Sequence, residues 1–171
     1  MIEAGPLILR PWKLSDAEAL VRHANNRKIW LNLRDRFPHP YTQADARAWC
    51  ALHAADTNSP HNFAIEFQGE AIGAIGLEFF TDVHRKTAEI GYWLGEPMWG
   101  RGFATAAVKA VSEYAFAAFD LCRLQATVFQ WNPASARVLE KAGYTMEGRL
   151  RSYIFKDNLV CDALMYARVR Q

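Results

Sequence analysis

The hydrophobic period of this 171-residue chain changes at Asn62. Phe63, Ile65 and Phe67 alternate with small or polar residues, which is the signature of a strand. Gln68-Gly69-Glu70 reads as a hairpin turn and Ala71 to Phe79 as the return strand. Ala88 to Leu94 is a further strand, with Ala88, Ile90, Tyr92 and Leu94 on one face. From about Arg101 to Phe119 the spacing turns helical, carried by Ala104, Ala107, Val108, Val111, Ala115 and Ala118. Arg123 to Val128 is again a strand. A chain that switches period in this way has to build a sheet with helices packed on it.

The flanks extend the pattern. Leu7 to Arg10 reads as a short strand stopped by Pro11. Ser15-Asp16-Ala17-Glu18 has the form of a capping box opening a helix to about His23. Ile29 to Asp35 reads as a second short helix, broken by Pro38-His39-Pro40. Thr42-Gln43-Ala44-Asp45 offers another cap, for a helix burying Ala46, Trp49, Cys50 and His53. Asn132 caps a short helix with Pro133 at its first position, and Gly143 ends it. Strands over about Thr145–Phe155 and Leu159–Val169 flank the turn Lys156-Asp157-Asn158. The order β-αα-βββ-α-β-α-ββ predicts one mixed α/β or α+β domain over residues 1–171. Its central sheet has about seven strands, flanked by about four helices.

Composition excludes several classes. Half the residues are apolar (51%) and 22% are charged, enough for a full core. The formal net charge of +2 does not suggest nucleic-acid binding. The N-terminus lacks the pattern of a signal peptide, and no run approaches the ~18 apolar residues of a membrane span. Cys50, Cys122 and Cys161 are odd in number and far apart, which fits a reducing cytoplasm. The histidines show no ligand spacing with them, so no metal site is expected.

The stretch GEPMWGRGFATAAVKAV, Gly95 to Val111, places Gly100 and Gly102 where the long helix begins. A helix start leaves backbone N–H groups unpaired and carries a partial positive charge. Glycines let a ligand approach that backbone, so a Gly-x-Gly loop feeding a helix is a phosphate cradle, with Arg101 as a further contact. The other reading is a turn that merely reorients the chain. A dinucleotide fingerprint would need glycine where Thr105 stands, and a Walker lysine is absent.

The segment AEIGYWLGEPMWGRGFATAAVKAV resembles motif A of the GNAT acyl-CoA N-acyltransferase superfamily. The motif, Gln/Arg-x-x-Gly-x-Gly/Ala, reads here Trp99-Gly100-Arg101-Gly102-Phe103-Ala104, departing at Trp99. An aromatic residue there is similar to the RimJ/RimL-type branch. So are NPASARVLEKAGYTMEG (Asn132 to Gly148), FPHPYTQADARAW and the ending DALMYARV. The resemblance implies a GNAT fold with splayed middle strands and acetyl-CoA as co-substrate. It implies a pyrophosphate held by amides of Gly100, Arg101, Gly102, Phe103, Ala104 and Thr105, beside Trp99. It further implies a pantetheine arm paired with Glu89–Leu94 where that strand leaves Arg123–Val128, a backbone N–H near Trp93 or Leu94 as oxyanion donor, and a cofactor contact at Asn132.

Acyl transfer needs an amine to lose a proton and a departing thiolate to gain one. The resemblance makes Ser135 the thiolate's proton donor; the plain reading is a serine satisfying helix-start amides. Glu89 points away from its strand's apolar face and is either the base, direct or through water, or a salt-bridged carboxylate. Glu78 and Asp82 are weaker candidates, and Tyr144 reads as core. Some ribosomal-protein acetylases of the branch carry a carboxylate just before the last hairpin. Ser152-Tyr153-Ile154-Phe155 has none, which speaks against that base and that substrate here. Trp30, Phe37, Tyr41 and Trp49 either wall an acceptor pocket or pack the N-terminal helices.

The expected function is therefore an acetyl-CoA-dependent N-acetyltransferase acting directly on a primary amine through a ternary complex. The acceptor is a protein N-terminus or a small molecule, and the enzyme a monomer or homodimer without membrane or nucleic-acid partners. The alternative is a catalytically silent acyl-CoA-binding regulatory module on the same fold.

Overall fold

The computed structural model describes residues 1–54 and 61–170. Its strands are β1 (Ile2–Ala4), β2 (Leu7–Arg10), β3 (Asn62–Phe67), β4 (Glu70–Phe79), β5 (Thr87–Leu94), β6 (Arg123–Phe129), β7 (Thr145–Lys156) and β8 (Leu159–Val169). They form one eight-stranded sheet in the order β1-β2-β3-β4-β5-β6-β8-β7. The helices are α1 (Ala17–Ala24), α2 (Arg27–Trp30), α3 (Gln43–Ala54), α4 (Phe103–Ala118) and α5 (Pro133–Lys141).

Helices cover both faces of the sheet, which is why its central strands are apolar almost throughout. In β3, Phe63 and Ile65 join the core beneath α4 and α5, whereas Ala64 joins a second core with α1 and α3. The small Ala64, Ala71 and Ala74 let Leu20, Ala24, Ala46 and Cys50 close on the second face. On the first, Ala107, Val108, Val111 and Ala115 of α4 have no solvent exposure. Burying each valine contributes roughly 1.5–3 kcal/mol.

The strand pairing is antiparallel except between β5 and β6, among the described residues. That parallel ladder holds only three residue pairs, Thr87–Arg123, Ala88–Leu124 and Glu89–Gln125. Beyond Glu89 the two strands part, while β5 stays paired with β4 up to Leu94 and β6 with β8 up to Phe129. The expected splay of the middle strands is present.

Several boundaries differ from the sequence reading. The sheet gains an eighth strand, β1, closed on β2 by a turn at Gly5, whose φ is 63°. The Ser15–Glu18 capping box does not form. The Asp16 carboxylate instead accepts from Arg10 Nη1 (2.7 Å) and Nη2 (2.8 Å) and from the Lys13 N–H (2.8 Å). This tertiary pairing holds Leu14–Asp16 as a short turn and delays α1 to Ala17. The second helix occupies Arg27–Trp30, not residues up to Asp35. The Thr42–Asp45 cap does form, with Thr42 N–H donating to Asp45 Oδ2 (2.8 Å) and Asp45 N–H to Thr42 Oγ1 (3.3 Å).

Candidate active site

The parting of β5 from β6 opens a cavity of about 1370 Å³ that runs between the strands. Its walls include Glu89 and Trp93 of β5, Thr127 of β6, the Gly100–Thr105 loop and Ser135 of α5. Among the described residues, the backbone of β5 past Glu89 has no ladder on its β6 side. It is therefore a strand edge inside the molecule, able to pair with an extended amide-bearing ligand.

The Gly100–Gly102 segment leads into α4 at Phe103. Gly100 and Gly102 have φ of 74° and 78°, a left-handed conformation that favours glycine. A Cβ at either would meet no atom of the described residues within 4 Å apart from its chain neighbours, so the backbone there faces open space. The first helical bond here runs from Ala106 N–H to Gly102 O (3.0 Å) and leaves the amides of Phe103, Ala104 and Thr105 ahead of it. Amides at the start of a 16-residue helix suit a pyrophosphate. Trp99 braces the loop by donating its Nε1–H to Leu94 O (2.8 Å). Arg101 is turned aside: its guanidinium lies over the rings of Phe67 (5.0 Å) and Phe103 (4.7 Å).

At α5 the capping atom is Asn132 Oδ1, which accepts from the Ser135 N–H (3.2 Å). The Ser135 hydroxyl is thus not the cap. Its Oγ lies 2.9 Å from the hydroxyl of Tyr92, which also reaches Ser135 O at 3.3 Å. Burial pushes the Tyr92 phenol pKa well above its usual value, against the opposing hydrogen bond to Ser135, so Tyr92 keeps its proton. Tyr144 is buried as expected, its hydroxyl 2.8 Å from Ser112 Oγ.

Across the cavity, Glu89 has a side chain 15% exposed and paired with Arg34 Nη2 at 2.8 Å. Arg34 Nη1 also meets Glu78 at 2.6 Å, and Arg36 meets the same Glu78 oxygen at 2.9 Å. Burial would push the Glu78 carboxyl up, but the charges of Arg34 and Arg36 outweigh it and hold the carboxyl below its usual range. Lys156, 2% exposed, pairs with Asp35 at 2.7 Å and lies 3.9 Å from the centre of the Trp30 ring. Phe37, Tyr41 and Trp49 line the cavity and also pack in or against the second core, whereas Trp30 is not part of the cavity wall. Asp82 lies in an exposed turn outside the cavity wall. Asn32 also lines the cavity. Its Nδ2 donates to Lys28 O (2.9 Å), while its buried Oδ1 has no partner among the described residues.

Residues 6–145 match the acetyltransferase (GNAT) domain family. The chain belongs to the GNAT acetyltransferases. It is 31% identical over 172 residues to an uncharacterized N-acetyltransferase, YoaA, of Bacillus subtilis (strain 168), with 99% of this chain and 97% of that protein covered. It is 28% identical over 156 residues to the spermidine N(1)-acetyltransferase of Escherichia coli (strain K12), with 91% of this chain and 81% of that protein covered. Its structure resembles that of Mycobacterium smegmatis RimJ in complex with CoA-disulfide, with a TM-score of 0.83, 28% identity, and coverage of 98% of this chain and 84% of that one. This GNAT chain is an N-acetyltransferase.

Residues of this cavity escaped the sequence reading, Tyr92, Arg34 and Lys156 among them. Tyr92 carries the right alternation for a core residue, and nothing local says that its hydroxyl crosses to α5. Arg34 and Lys156 belong to a loop and a hairpin end, and their partners are set by tertiary folding. Among the described residues no cluster of three or more His, Cys, Asp or Glu side chains could hold a metal ion.

Proposed function

We propose that the chain moves the acetyl group of acetyl-CoA directly to a primary amine while both substrates are bound. The observation that carries this reading is the gap between β5 and β6, with the α4 amides and Ser135 along one continuous cavity. Those elements match the needs of coenzyme A in turn. The amides of the Gly100–Thr105 loop hold the pyrophosphate, the open edge of β5 pairs with the pantetheine amides, and Ser135 lies where the thiol leaves. A backbone N–H at Trp93 or Leu94 steadies the oxyanion. Acetyl-CoA supplies the activated acyl group. The protein's own part is to align the amine, to exclude water and to return a proton to sulfur through Ser135.

The acceptor side favours a singly charged amine over a polyamine. Of the carboxylates along the cavity, Glu78, Glu89 and Asp35 already pair with Arg34, Arg36 or Lys156, and Asp45 accepts from Thr42. A polycation would have to displace several of these partners, whereas one ammonium has only to displace Arg34 from Glu89. An N–H of the acceptor also offers the donor that Asn32 Oδ1 lacks.

The test is incubation with acetyl-CoA and a panel of spermidine, free amino acids and peptides with free N-termini, following thiol release and product mass. Acetylation at one amine of a monoamine acceptor is expected. Binding of acetyl-CoA without thiol release for any amine would make the protein a silent binding module, and spermidine as the best acceptor would overturn the charge argument.

A further inference from the structure

The helix needs nothing from the Ser135 hydroxyl, because Asn132 Oδ1 already takes the Ser135 N–H. Among the described residues the hydrogen-bond partner of Ser135 Oγ is Tyr92, on a different element. Tyr92 reaches it from the open part of β5, three residues past the last pair with β6. Both residues line the cavity between the strands.

We propose that Tyr92 is the positioning residue for proton delivery by Ser135. The claim rests on the transfer reading above and concerns how the serine proton is aimed. The Tyr92 hydroxyl has one proton and two acceptors in reach, Ser135 Oγ at 2.9 Å and Ser135 O at 3.3 Å. When it donates to Oγ, the serine's own proton is left to point into the cavity. When it donates to the carbonyl instead, Ser135 gives its proton to the Tyr92 oxygen and has none to offer. The shorter contact is the productive one. Burial supports this arrangement by keeping the phenol protonated.

The step balances without a further reactant. The ammonium first gives one proton to solvent water, the free amine nitrogen then bonds to the acetyl carbon, the C–S bond breaks, and the sulfur takes the Ser135 proton. The proton lost by the attacking nitrogen returns to Ser135 Oγ through water. Tyr92 keeps its proton throughout, and its donated hydrogen bond holds the oxygen while it is bare.

The experiment is a double-mutant cycle of Tyr92→Phe and Ser135→Ala, read in ligand-free thermal unfolding, CoA calorimetry and transfer to the best amine of the panel. Phenylalanine keeps the ring and its packing and removes only the hydroxyl. The two substitutions should be non-additive in unfolding midpoint, since each deletes the same bond. CoA affinity should stay within about twofold in both, because the role is realised in transfer and not in binding. Tyr92→Phe should lower kcat by about tenfold or more, and the double variant should be no slower than Ser135→Ala. An unchanged kcat in Tyr92→Phe with chemistry rate-limiting, or effects that multiply in the double variant, would overturn the proposal. Wild-type protein that binds acetyl-CoA but turns over no amine would overturn the transfer reading and this proposal with it. Active wild type with an indifferent Tyr92→Phe would overturn this proposal alone.

Discussion

Glu89 shows how one contact changes the meaning of a residue. Strand alternation identifies it as a carboxylate facing the cavity, and a base is the first role that suggests. In the folded chain Arg34 sits on that carboxylate at 2.8 Å. A proton moving to the occupied oxygen has to displace the guanidinium, whereas an arriving ammonium can exchange with it charge for charge. Glu89→Gln is therefore expected to raise KM for the amine several-fold and leave kcat nearly unchanged at neutral pH. Steady-state kinetics over pH 6 to 9 check this. An amine of pKa near ~10 is mostly protonated in that range, so a true base would reveal itself as a kcat loss that recovers toward the alkaline end. The serine was legible as a candidate through the resemblance of the stretch from Asn132 to the GNAT family, since its spacing alone marks only a serine at a helix start. What the sequence could not supply was the hydroxyl from β5 that engages it.

Elements were easier to read than their junctions. Strands β3 to β6 and helix α4 follow from the hydrophobic period, because burial on a sheet or a helix face repeats along the chain. The Ser15 capping box was lost to an ion pair with Arg10, a competitor that sits on another element. Strand β1 has three residues, too few for alternation to register. The start of α4 is where local and functional demands coincide. Its glycines adopt positive φ with open space around them, and the proposed function puts the phosphate there. Gly102→Val places a β-branched side chain in that conformation, at a strain of about 1–3 kcal/mol, and puts its bulk in the approach path. Calorimetry on the folded variant should find CoA affinity reduced by at least about tenfold. Affinity equal to wild type would move the phosphate site elsewhere.

For the molecule as a whole, strand β2 is tied in by charge. The Arg10 guanidinium, 4% exposed, is bound by Asp16 and by Glu66. Burial raises the Asp16 carboxyl, but hydrogen bonds from Arg10 and the Lys13 N–H overcome it and hold its pKa below the ordinary value. The folded state therefore binds this proton less readily than the unfolded chain does. The stabilisation is complete above the unfolded carboxyl pKa of about 4 and drains away as pH falls through the lower folded value. Asp16→Asn should cost roughly 3 kcal/mol at pH 7, with Glu66 moderating the loss. Chemical denaturation of both proteins from pH 7 down to about 3 should show that gap narrowing. A gap constant with pH would mean that packing, not charge, holds the strand.

The three residue pairs between β5 and β6 divide the sheet into a leaf of five strands and a leaf of three. Between the leaves there is room for one more backbone, and a pantetheine arm, with its two amides, has the right chemistry to serve as one. A bound co-substrate of that kind is for a time a ninth strand, and its departure removes a structural member. On the proposed binding mode the molecule is built one part short, and each catalytic cycle would complete its architecture and then dismantle it.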